Sequence, residues 1–330
     1  MIFSKEKWNN SEEISAFIPS SASLGYDKMK SSLQSAETMF ITKLIGEELT
    51  NKIDLFYENG VNDNKELWTK LLSLSQRAVA YLAMWYDFDA LNLRITDQGF
   101  QRQESDTFKG AYKYQEENMK RTFKNRGFNC LDDILEFLDL NRTVFTDYIN
   151  SPAYIDSQKS IVRSTSEVNN IIYINNSRII FLRMRCEFNA IEENFIKPKL
   201  GDDLYKMLID SLADSSKFTA GDKTILEGLR LACAKVVIRG AAIRLIKSTG
   251  SMTDRGLYFE QTKSGSYTDN DVSKATDMEI GDRLSQLESD FNFALVALVR
   301  YIQLNLSDYY EGSSQYRFSR DNDDKKIFWA

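Results

Sequence analysis

The chain has no histidine among its 330 residues. That excludes Ser-His-Asp and Cys-His catalysis, histidine-ligated zinc and the Glu-x-x-His di-iron bundle. Cysteine is scarce. Cys130, Cys186 and Cys233 lie far apart, follow no metal or redox spacing, and are too few for a four-thiolate zinc site. They read as buried, small apolar residues. The 3 prolines, Pro19, Pro152 and Pro198, leave room for long unbroken helices. Glycine is dispersed, so no phosphate loop, dinucleotide fingerprint or kinase signature can be assembled. No apolar run reaches the roughly 18–20 residues of a spanning helix. The opening MIFSKEKWNNSEE lacks the apolar core and cleavage site of a signal peptide, so the expectation is a protein made and kept in a cytoplasm. The net charge of −6 argues against a general nucleic-acid binder, though a local basic patch is compatible with it.

What is present is an ordinary globular composition, 42% hydrophobic and 27% charged, long enough for about two domains. It also contains a phrase written twice. FITKLIGEEL at 40–49 returns as FIKPKLGDDL at 195–204, an offset of 155. At that offset Tyr26 meets Phe181, Met29 meets Met184, Lys30 meets Arg185 and Glu37 meets Glu192. Farther on, TDQGF at 96–100 is echoed by TDRGL at 253–257, offset 157, and ILEFLDLN at 134–141 by LVRYIQLN at 298–305, offset 164. Tyr148-x-x-Ser151-x-x-Tyr154 is echoed by Tyr310-x-x-Ser313-x-x-Tyr316, offset 162. The matches keep their order, which points to a tandem duplication. The expected architecture is mainly α: a helical-bundle domain duplicated in tandem, with short extended or hairpin insertions. The first repeat is expected over 1–154 and the second, with a C-terminal arm, over 155–330.

Within each copy the pattern predicts an extended lead-in, 1–22 and about 155–177, with a short strand near the β-branched Ile171–Ile174. A first helix follows over about 25–43 and 178–197, where Met29, Leu33, Ala36, Phe40 and Leu44 form one apolar stripe. Gly46 and Gly201 are expected to end it in a left-handed turn. A short second helix is expected over 47–57 and 202–213, and a long buried one over 65–93 and 222–248. Turns are expected at Gly99 and Gly256, each followed by extended chain. The last helical stretch is expected over 107–140, split at Asn125-Arg126-Gly127, and over 271–306.

Few side chains suggest chemistry. Glu47-Glu48 and Asp202-Asp203 follow the two corner glycines. Adjacent helical residues diverge by about 100°, so these pairs read as favourable first-turn charges rather than metal ligands. The Thr-Asp-x-Gly segments read as turns rather than ligand loops. Arg178, Arg183 and Arg185, with Lys159 and Arg163 upstream, read as a solvated helix face, with phosphates or an acidic partner as the alternative. Phe328-Trp329 forms an apolar tip on a charged stalk. It can serve as a docking anchor or fold back on its own domain. No cofactor or metal site is expected.

The phrases FITKLIGEEL and FIKPKLGDDL, the small-residue helix 222–248, TDQGF and TDRGL, and ILEFLDLN and LVRYIQLN before Tyr-x-x-Ser together resemble a family of helical proteins encoded by phages and prophages of gut-type bacteria. In outline that family is similar to the head–tail connectors, helical adaptors that form a ring beneath the portal of a tailed phage. The resemblance implies a non-enzymatic structural virion protein, assembled in the host bacterial cytoplasm. Its partners would be portal and tail or neck proteins and other copies of itself in a ring. Membrane would not be involved, and DNA contact would be incidental. Those adaptors usually carry one helical unit, so a duplicated one departs from the pattern. The implied contact regions are the extended lead-ins, the loop after Gly256, with Tyr258 and Phe259, and the C-terminal tail, with Phe328 and Trp329. Two other classes remain open at this point. One is a cytoplasmic helical scaffold or regulatory binding protein; the other is a hydrolase working with carboxylates alone.

Overall fold

The computed structural model describes residues 1–19, 24–60, 63–92, 94–96, 99–101, 112–213, 215–249 and 277–306. The chain is mainly α. It divides into two compact units: one comprises 1–159 and 163–182, the other 160–162 and 183–330.

In the first unit the lead-in is neither extended nor peripheral. A 3₁₀ turn at Asn9–Ser11 and a helix at Glu12–Ser15 fold it back, and Ile2, Phe3, Trp8, Ile14 and Ile18 are all buried. Helix α1 (Tyr26–Ala36) buries Met29, Leu33 and Ala36 as its stripe requires. It continues through a π-helical turn, Glu37–Thr42, and a short α turn, Lys43–Ile45, to Gly46. Helix α2 (Glu47–Asn59) leads to α3 (Lys65–Tyr86), the long apolar helix, which ends before a short helix at Phe88–Asn92. Strands β1 (Arg94–Thr96) and β2 (Gly99–Gln101) then pair antiparallel with Thr96 opposite Gly99. Gly99, where a turn was expected, opens the return strand.

Helix α4 (Lys113–Leu140) packs along α3, and it corrects one expectation. Asn125-Arg126-Gly127 does not split it. Gly127 is a packing position: a Cβ there would stand 2.7 Å from Leu82 Cδ2, so the helix keeps glycine in order to approach α3. Phe40, Trp85 and Phe128 join the π turn after α1 to α3 and α4 in an aromatic trio with centroids 5.5–6.0 Å apart. Short helices at Thr146–Ile149, Pro152–Ser157 and Thr165–Ile171 follow. The strand expected near Ile171–Ile174 is absent: the last helix ends at Ile171, and 172–174 leave it as a bend and irregular chain. A Ser164–Glu167 capping box starts that helix.

Helix α5 (Arg178–Ile191) contains the change of unit, between the consecutive residues Leu182 and Arg183. In the second unit it passes into a π-helical turn, Glu192–Ile196, then Lys197–Leu200 and Gly201. Pro198 lies in the first turn of Lys197–Leu200, between the π turn and Gly201. Helix α6 (Asp202–Ala213) is followed by α7 (Ala220–Thr249), buried on most of its circumference, and by α8 (Asp277–Asn305), packed along it.

Candidate functional site

The two corner glycines share one geometry. Gly46 has φ 93° and ψ 157°, and Gly201 has φ 75° and ψ 164°. Both have the expected positive φ, but their ψ is extended rather than left-handed helical. That combination is open essentially to glycine alone. Each glycine N–H donates to the carbonyl four residues back, Thr42 at 2.9 Å and Lys197 at 2.8 Å. Each glycine carbonyl accepts from the amide four residues on, Thr50 at 3.2 Å and Tyr205 at 3.1 Å. At Gly46 a Cβ would also stand 2.8 Å from the Cβ of Ser151, which caps the Pro152–Ser157 helix. The acidic pairs after both glycines occupy first helical turns, as expected.

Immediately before each corner, at the first residue of each π turn, is a buried glutamate. Glu37 and Glu192 are 8% and 2% exposed. Each binds the backbone of a remote segment. The Ile2 N–H donates to Glu37 Oε2 at 3.0 Å, and the Ile161 N–H donates to Glu192 Oε1 at 3.1 Å. Glu192 also accepts from Ser160 Oγ at 2.9 Å and from the Tyr205 hydroxyl at 2.7 Å. Burial pushes both carboxyls above the ordinary carboxylate range, against the lowering effect of these bonds. Tyr205 is likewise pushed up by burial and by its bond to Glu192. The clipped residues are core material: Ile2, Phe3, Ile161 and Val162 are each 0–1% exposed. Chemically these are anchoring sites. Glu37 also pairs with the N-terminal ammonium of Met1, 3.6 Å from its Oε1, whereas Glu192 is held by a backbone amide and two hydroxyls.

A second polar network holds the first lead-in. Gln76 Nε2 donates to the Ile2 carbonyl at 2.8 Å, and the Tyr57 hydroxyl donates to Glu13 Oε1 at 2.6 Å. Burial raises the Glu13 carboxyl, partly offset by the Tyr57 bond.

The basic cluster does not form one solvated face. Arg178 is 4% exposed; its Nη1 donates to Asp132 Oδ1 at 2.7 Å, and its guanidinium lies 5.2 Å from the Phe181 ring centroid. Burial raises the Asp132 carboxyl, and Arg178 draws it back down. Arg178 is thus an internal tie. Lys159 pairs with Asp156, and Arg163 donates to the Gln158 carbonyl. Arg183 and Arg185 are both half-buried. Cys130 and Cys233 are buried as expected, but Cys186 is exposed, because position 186 falls on the outward side of α5.

No group of three or more metal-ligating side chains occurs among the described residues. Among them, too, no helix is long and apolar enough to cross a membrane. Gly256, Tyr258, Phe259, Phe328 and Trp329 lie outside the described residues. Large apolar side chains do stand in solvent on helices of both units. In the first unit these include Tyr112, Met119 and Leu140 of or beside α4; in the second, Met278, Phe293, Val296 and Leu304 of α8.

The glutamate anchors carried a faint sequence signal, since Glu37 and Glu192 match at the same offset as the repeated phrase. An acidic residue recurring inside an apolar stripe is the sign to look for. The exposed row on α8 carried none, because an outward apolar residue looks like a core one until the buried face is known.

A family model described as a family of unknown function, DUF6712, matches residues 41–158. The match runs from the first π turn through the α3–α4 pair to the short helices beyond it. No curated protein and no solved structure matches the chain.

Proposed function

We propose that the protein is a non-enzymatic structural component of a tailed-phage particle, a neck or head–tail adaptor working through protein–protein contacts in a ring beneath the portal. We further propose that it consists of two copies of one helical unit. The observation that carries the contact reading is the set of large apolar side chains held in solvent on long helices of both units. Stiff helix pairs with anchored lead-ins suit a part that transmits load and presents fixed surfaces. The sequence resemblance supplies the virion context. The recurring π turn, buried glutamate, clipped dipeptide and glycine corner support the duplication. The partners in this reading are portal and neck or tail proteins, and no cofactor is needed.

Mass spectrometry of gradient-purified particles tests the reading. The protein is expected in the particles at a fixed ratio to the portal. Its absence from particles, with full expression in infected cells, would sink the virion reading.

A further inference from the structure

Helix α8 buries Leu287, Ala294, Leu298 and Ile302 against its own unit. The opposite side carries a second row. Gln286, Ser289, Phe293, Val296, Arg300 and Leu304 succeed one another by three or four residues, the spacing of a heptad seam. All six are exposed, and Phe293, Val296 and Leu304 are 72%, 67% and 72% exposed. Toward the helix start the same face continues through the exposed Asp282 and Met278, the latter 77% exposed. The side chains of Asp282 and Arg300 have no ion-pair partner among the described residues.

We propose that this face is a homotypic contact: α8 of one copy pairs antiparallel, across a twofold axis, with α8 of a second copy of this chain. One register satisfies the whole row. With the axis at the level of residue 291, Arg300 faces Asp282 of the second copy, and Leu304 faces its Met278. In the same register Phe293 faces Ser289, a large residue against a small one, and Val296 faces Gln286. Each pairing occurs twice, as a twofold contact demands. The matched stretch, 278–304, is about 39 Å long at 1.5 Å rise per residue. A parallel, in-register pairing would set Arg300 against Arg300 and Asp282 against Asp282, so charge selects the antiparallel form.

A twofold contact closes on itself and does not build a ring. It pairs copies, whatever larger assembly those pairs enter. The inference therefore stands apart from the virion reading.

Sedimentation of the purified full chain tests it, alongside Arg300→Asp, Asp282→Arg and the double variant. All these positions are exposed, and far-ultraviolet circular dichroism checks that each variant is folded. The wild type is expected to contain an even number of chains, two at the smallest. Each single variant is expected to halve the mass at the same concentration, and the double variant to restore it. A monomeric wild type would overturn the proposal and assign the face to another segment of the chain or to a foreign partner. Folded single variants of unchanged mass, or a double variant that fails to recover the pair, would also overturn it.

Discussion

The two units solve the same packing problem with the glycine on opposite helices. In the first, Gly127 of α4 lets Leu82 of α3 in, and a Cβ at Gly127 would stand 2.7 Å from Leu82 Cδ2. In the second, Gly240 of α7 lets Phe291 of α8 in, and a Cβ at Gly240 would stand 2.9 Å from Phe291 Cε2. Gly127 and Phe291 are 164 apart, the offset of ILEFLDLN and LVRYIQLN; Leu82 and Gly240 are 158 apart, within one residue of the offset of the Thr-Asp-x-Gly segments. The two crossings fall at offsets close to those of the repeated phrases, with knob and hole on opposite helices. A close helix crossing thus constrains the sum of two side chains more than either one.

The largest expected effect comes from exchanging the two solutions. Leu82→Gly alone should destabilise the first unit by roughly 4–5 kcal/mol, from the cavity and the helical glycine together. Gly127→Phe alone should cost about 1–3 kcal/mol by overpacking. The double variant reproduces the second unit's pairing and should be markedly more stable than the two single effects added. Urea denaturation of all four proteins measures the coupling. Additive losses would mean that the resemblance of the crossings is superficial.

Next in size is the difference between the anchors. Glu192→Ala leaves Ser160 Oγ, the Ile161 N–H and the Tyr205 hydroxyl without their buried acceptor. A loss on the order of 3 kcal/mol or more is expected. Glu37→Ala removes the acceptor of the Ile2 N–H and one of the two carboxylates near the Met1 ammonium, which keeps Asp54, and should cost less, about 1–3 kcal/mol. Thermal or denaturant melts of the two variants give the order, and equal losses would remove the distinction drawn between the sites.

Much of the frame was legible in the sequence, for physical reasons. The period of 3.6 marks Met29, Leu33 and Ala36 as one face, and only glycine tolerates the backbone of Gly46 and Gly201. The sequence misled where local and tertiary signals conflict. Asn125-Arg126-Gly127 reads as a break, yet packing on Leu82 carries α4 through it. The segment 171–174 reads as a strand, yet it follows a capped helix, Thr165–Ile171, and finds no strand partner among the described residues. Arg178 reads as a surface charge, but its burial depends on Asp132, 46 positions away. The π turns have no local signature in residue type, and without them the reach of Glu37 and Glu192 to the lead-in segments cannot be foreseen.

The corners offer a finer comparison. Gly46→Ala meets both backbone strain and the Ser151 side chain, whereas Gly201→Ala meets strain with no described atom within 4 Å. Gly46→Ala should therefore be the more destabilising of the two, by about 1 kcal/mol over a shared strain of about 1–3 kcal/mol. Denaturant midpoints give the difference. A costlier Gly201→Ala would reverse the assigned role of Ser151.

The smallest effect is in pH. Glu37 and Glu192 are both raised above the ordinary value of 4.5, so the folded chain holds more protons than the unfolded one just above that pH. Their contribution is fully present below pH 4.5 and is lost as pH rises through the raised values. Glu192→Gln should flatten its share of that decline while keeping an acceptor for Ile161. Stability measured between pH 4.5 and neutrality, for wild type and variant, checks the sign; a decline of the same slope in both would assign it to other groups.

A buried glutamate at each π turn ties a non-helical segment into the core of its unit. Residue-resolved amide hydrogen exchange on the wild-type protein tests it most directly. Ile161 lies outside any helix, yet its amide is predicted to exchange as slowly as the core amides of α7, with Ile2 similarly protected relative to α3. Exchange of the Ile161 amide at the rate of an open loop, while α7 stays protected, would contradict the account.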